Sequence, residues 1–143
     1  MELDDVTYFE ITKHSEIGDA FFYNGDFESA LKEYNKAWEL IPDPKNEWNA
    51  SMWVLGMIGA TCIRLHHLVS AKEALEFALH CPGGRENPYI NLKLGELHYE
   101  SGDEASAGAY FFAAQESTSH NVFVNEPKKY RLFYEKWLLA KRF

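Results

Sequence analysis

The side chains that could do chemistry are scattered along this chain. Its six histidines, His14, His66, His67, His80, His98 and His120, form neither HExxH, nor HxxxH with a carboxylate, nor another metal-binding spacing. Cys62 and Cys81 do not make a CxxC pair, and neither a Gly-rich phosphate loop nor a GxSxG elbow occurs. Each histidine reads as a satisfied or solvent-exposed side chain. Cys62 reads as a buried free thiol rather than half of a disulfide. The expectation is a protein that is not an enzyme, with no catalytic residue, cofactor or metal.

Charge says more about partners. The 143 residues carry 14 Lys and Arg against 22 Asp and Glu, a net of −8, which argues against binding a phosphate backbone and favours a basic or neutral protein partner. The charge is segregated: residues 1–125 hold 8 cations against 20 anions, and residues 126–143 hold 6 against 2. The opening MELDDVTYFE has neither the basic nor the apolar region of a secretory leader, and no apolar run is long enough to cross a bilayer. The expected compartment is the cytoplasm, with no membrane and no nucleic-acid partner.

The elements that must position any functional residue are set by repetition. The strings GDAFFYNGDFESALKEYNKAWEL from Gly18, GATCIRLHHLVSAKEALEFALHC from Gly59 and GELHYESGDEASAGAYFFAAQES from Gly95 align without a gap. Each places Ala twelve and nineteen residues after its Gly: Ala30 and Ala37, Ala71 and Ala78, Ala107 and Ala114. A large residue stands between each pair: Tyr34, Leu75, Phe111. Small residues at both Ala positions let helices approach closely while the large one fills the space. The Gly permits tight contact within each helix pair despite its cost of about 1 kcal/mol in a helix. Such units bury their faces by stacking.

Periodicity and breakers predict seven helices. The first runs over about Thr7–Tyr23, and Asp26 caps the second, which ends at Pro42. The second pair covers about Trp48–Leu65 and Val69–His80, and the third about Pro88–Glu100 and Glu104–Ser117. A last helix spans about 126–141. The Gly-to-Gly spacing is 41 and then 36 residues, so PDPKNEWNAS reads as a lengthened loop plus an extended helix start. The predicted fold is all-α: an antiparallel helix-pair solenoid of three repeats (about 7–42, 47–82 and 88–119) plus a C-terminal capping helix, in one domain. The last helix carries Tyr130, Phe133, Tyr134, Trp137 and Leu138 on one face, as a cap over the array requires.

This pattern resembles the tetratricopeptide repeat, on Gly18, Phe21, Gly25, Ala30, Tyr34, Ala37 and Pro42 in the first unit. The other units are partial: Cys62 and His98 stand where an aromatic is usual, and His66 stands where the turn Gly is usual. The segments IGDAFF, CPGGRENPYINLKLGELHYESGDEASA and EPKKYRLF are also similar to those of a group of small bacterial repeat proteins associated with toxin immunity. These resemblances imply a protein-binding module with a concave groove lined by the first helix of each pair. Carried over by register, the groove candidates are Asp19, Phe22 and Tyr23; Trp53, Met57, Ala60 and Arg64; and Tyr89, Leu92, Lys93, Glu96, Tyr99 and Glu100. The Lys and Asn set with which such grooves clamp acidic chaperone tails is missing, since Ser15 and Asp19 stand at its first-repeat positions. The implied partner is a protein with a basic surface, such as a toxin domain, bound by a monomer or weak homodimer. The competing expectation is a scaffold or secretion chaperone that holds an extended client peptide.

Overall fold

The computed structural model describes residues 3–141, which form seven α-helices and no strand. The Asp4 carboxylate accepts from the Thr7 N–H at 2.8 Å and so starts α1 (Asp5–Tyr23) two residues before the predicted position. Then follow α2 (Phe27–Leu40), α3 (Asn49–Arg64), α4 (Leu68–Leu79), α5 (Pro88–Glu100), α6 (Glu104–Glu116) and α7 (Lys128–Lys141). The chain forms two compact units, one up to Arg85 and one from Glu86 onward. In the first, α1 packs on α2, α2 on α3 and α3 on α4; in the second, α5 packs on α6 and α6 on α7.

The repeated residues make the same contact in each pair. A methyl group added at Gly18 would stand 2.6 Å from the Tyr34 ring, at Gly59 2.6 Å from the Leu75 side chain, and at Gly95 2.4 Å from the Phe111 ring. Tyr34, Leu75, Phe111 and all six repeated alanines are fully buried. Each Gly is thus the floor of a socket for the large side chain of its partner helix.

The turn inside each pair also recurs. Asp26, His67 and Asp103 N–H groups donate to the carbonyls of Phe21, Cys62 and His98 at 2.8–2.9 Å, the six-to-one closure of a Schellman turn. That closure needs a left-handed residue, supplied by Gly25 (φ 82°), His66 (φ 61°) and Gly102 (φ 84°). Asp26 and Asp103 cap the following helices through Ser29 and Ser106, but His67 makes no side-chain cap. The second turn therefore lacks both favourable residues. H66G combined with H67D is expected to stabilise the protein by about 2 kcal/mol, from relief of left-handed strain and a new cap. Urea denaturation checks it, and an unchanged midpoint would exclude turn strain at His66.

The long connection after α2 is loop and early helix together. A 3-10 turn covers Lys45–Glu47, and α3 starts ten residues before Gly59 whereas α5 starts seven before Gly95. Trp48 is buried, and its indole N–H donates to the Pro42 carbonyl at 2.8 Å. The Lys45 ammonium donates to the carbonyls of Trp38 and Ile41, satisfying the C-terminus of α2.

In the second unit the stripe on α7 is inward. Tyr130 and Tyr134 join Leu92, Ala107, Phe111, Ala114 and Phe123 in one apolar cluster, with Phe133, Trp137 and Leu138 packed against it. Gly108 receives Trp137, since an added methyl would lie 2.1 Å from the indole. His98 takes the aromatic role in this unit by stacking on Tyr110, with ring centroids 5.3 Å apart.

Candidate functional site

The groove candidates of the first unit fall into two groups. Near the α1–α2 turn, Phe22 meets Tyr23 and Phe27 edge to face at 5.4 and 5.2 Å, and the Arg64 guanidinium lies 5.8 Å from both Phe rings. Tyr23 is 79% exposed. Asp19 accepts from the Tyr34 hydroxyl at 2.5 Å, so its carboxylate also serves the core. Met57 is half-buried, and its carbonyl accepts from the Thr61 hydroxyl at 2.7 Å.

The second group forms a cleft. The first turns of α1 and α3 enclose about 400 Å³ between Asp5, Tyr8, Trp48, Asn49 and Trp53. Tyr8 is exposed, Trp53 is half-buried and Asp5 is exposed beside them. An indole, a phenol and a carboxylate around one open space suit an apolar side chain flanked by a cation. Of these residues only Trp53 was among the sequence candidates. Tyr8 lies too far ahead of the first repeat string for register to reach it, and Trp48 sits in the irregular connection.

In the second unit, Tyr89 lines a separate cleft of about 310 Å³ with Asn87, Leu92, His120 and Val122. Tyr99 packs edge to face on Tyr130 and Phe133. Glu100 pairs with Lys129 at 2.8 Å and accepts from the Tyr130 hydroxyl. These contacts bind α5 to α7 and leave Glu100 half-buried.

Four candidates need correction, because helical register alone assigned them to a surface. Ala60 and Leu92 are buried apolar core. Lys93 and Glu96 are 2% and 1% exposed, and they are paired internally. The Lys93 ammonium is 3.2 Å from Glu96 and 2.5 Å from Glu126, which precedes α7. Burial is the main cause that pushes the Glu96 carboxyl up, to about 8; Lys93 opposes this only in part, and a hydrogen bond with Glu126 adds to the rise. Burial also opposes the Lys93 charge, but Tyr89, Glu96 and Glu126 outweigh it and hold the ammonium protonated. Lys93, Glu96 and Glu126 form one largely buried cluster. Its job is to fasten the start of α7 to α5. The missed partner, Glu126, lay in a polar stretch with no periodic signal.

Among the described residues no three of His, Cys, Asp and Glu gather in a way that could hold a metal ion. Cys62 and Cys81 are buried free thiols, and burial pushes both up, away from the reactive thiolate. No described helix is long and apolar enough to cross a membrane. No known family model matches the sequence, and no curated protein matches it either, so the likeness to tetratricopeptide proteins rests on the residues quoted above.

Proposed function

We propose that the chain is a non-catalytic tetratricopeptide-type module of three repeats that binds a folded protein partner with a basic surface. The observation that carries this reading is the aromatic and acidic cleft of Asp5, Tyr8 and Trp53 on a protein of net charge −8. Aromatic anchors fill interface cores, and a carboxylate at their edge meets Arg or Lys of the partner. The matching Gly sockets and Schellman turns of all three helix pairs support the repeat assignment. The resemblance to immunity-associated repeat proteins makes a toxin domain the partner of choice. An acidic inhibitor meets a basic toxin quickly through electrostatic steering.

The test is titration calorimetry and surface binding kinetics against the folded protein encoded by the neighbouring gene. Y8A with W53A is expected to lower affinity about a hundredfold, the loss typical of central aromatic anchors. D5K is expected to slow association, most strongly at low salt. Wild-type affinity in the double variant would reject the cleft as the docking surface. Equal affinity for an unfolded peptide of the partner would favour a scaffold or chaperone role.

A further inference from the structure

Each unit carries an exposed apolar face outside the proposed cleft, and the chemistry of the two faces is complementary. The first is on α1. Val6 is 74% and Phe9 64% exposed, with Ile17 and Ala20 exposed on the same side at helical spacing. Glu10 and Glu16 border this stripe and the exposed Lys13 stands within it, the one Lys against five carboxylates on α1 and its cap. The second is a groove of about 620 Å³ in the second unit, walled by Tyr99, Leu132, Phe133 and Trp137, with Lys129 and Lys136 against the single Glu104. Leu132 is exposed at its edge, and α7 carries five cations against Glu135 alone.

We propose that the acidic apolar face of α1 docks into this basic aromatic groove beside α7 of a second copy. Phe9 and Val6 are the apolar anchors, Leu132, Phe133 and Trp137 receive them, and Lys136 meets Glu10 or Glu16 while Lys129 stays on Glu100. The occupant is a second copy because one chain carries both halves with opposite charge. Helix-pair proteins bury faces by placing one pair against the next. The contact uses different surfaces on the two copies, so it propagates head to tail instead of closing as a two-fold dimer. Val6 and Phe9 adjoin Asp5 and Tyr8 of the partner cleft on α1, but the contact uses neither of those side chains and is read by self-association instead of partner binding.

The test is sedimentation of the full chain over a concentration series at low and high salt. The weight-average mass of the wild type is expected to climb beyond that of a dimer at low salt and to fall as salt rises. F9E, at an exposed position, is expected to weaken association about tenfold or more. E10K with E16K, and separately L132E with K136E, are each expected to sediment as monomers. An equimolar mixture of these two double variants is expected to associate again, since each supplies the face that the other lacks. Thermal melting verifies that every variant is folded. A wild type that stays monomeric up to its solubility limit would overturn the proposal. So would a dimer insensitive to salt and to both double variants, because that dimer uses another face.

Discussion

Lys93→Met is expected to destabilise the protein by about 3–5 kcal/mol, the loss typical when one partner of a buried ion pair is removed. Lys93 is 2% exposed and faces Glu126 at 2.5 Å and Glu96 at 3.2 Å. Without the ammonium, the half-buried Glu126 must hold its charge without that counter-ion or take up a proton. The penalty should therefore shrink on acidification, where a neutral carboxyl becomes available. Adding Glu126→Gln to Lys93→Met should recover part of the loss, because the carboxylate that faced the ammonium goes with it. Urea denaturation of the two variants at neutral and acidic pH checks all three statements. A single variant as stable as the wild type would show that the cluster does not fasten α7.

The same cluster sets a pH dependence with a definite sign. The Glu96 carboxyl is raised in the folded protein, from 4.5 to about 8, chiefly by burial. Its contribution is full below 4.5, where folded and unfolded chains both hold the proton. As pH rises toward 8 the unfolded chain releases that proton and the folded one keeps it, so stability falls, by at most about 1.4 kcal/mol per pH unit. Glu33, lowered mainly by its hydrogen bond to His14, acts in the opposite sense, and so do Asp4 and Asp103; their contributions are lost as pH falls below the ordinary carboxylate range. Wild-type stability should thus decline between about pH 4.5 and 8. Glu96→Gln, which cannot titrate, should lack that decline.

The repeat was legible because its geometry demands particular residue types at fixed intervals. A socket floor must be Gly, a close-packed neighbour must be Ala, and both recur in register. The cap Asp26 was equally readable, since capping is local. Groove positions were not. Register predicts which way a helical residue points, and on α5 that direction is already filled: Glu126 reaches in from the loop before α7 and turns Lys93 and Glu96 into interior groups. Phe123 enters the core from the same irregular stretch. Trp48 likewise belongs to a loop that no periodicity describes, yet it walls the first cleft. The surface legible in sequence was the part that no loop returns to cover.

Gly95→Ala isolates the feature on which the repeat reading depends. In an ordinary helix this change stabilises by about 1 kcal/mol. Here the new methyl would stand 2.4 Å from the Phe111 ring, which is fully buried among Phe123, Tyr130, Phe133 and Tyr134 and has no vacant direction in which to move. Overpacking of this kind costs about 1–3 kcal/mol, so the net effect is expected to be a loss despite the better helix former. Gly59→Ala presses instead on Leu75, whose branched end can rotate more readily than a ring held edge to face, and should cost less. Gly102→Ala meets no neighbouring atom but must hold φ at 84°, and is expected to cost about 1–2 kcal/mol through backbone strain alone. A double-mutant cycle separates the two mechanisms. Phe111→Leu should relieve part of the Gly95→Ala penalty and leave the Gly102→Ala penalty unchanged, because the first clash lies in the socket and the second in the chain. If Gly95→Ala raises the denaturation midpoint, the socket is slack and the spacing of Gly, Ala and aromatic residues does not report close helix packing.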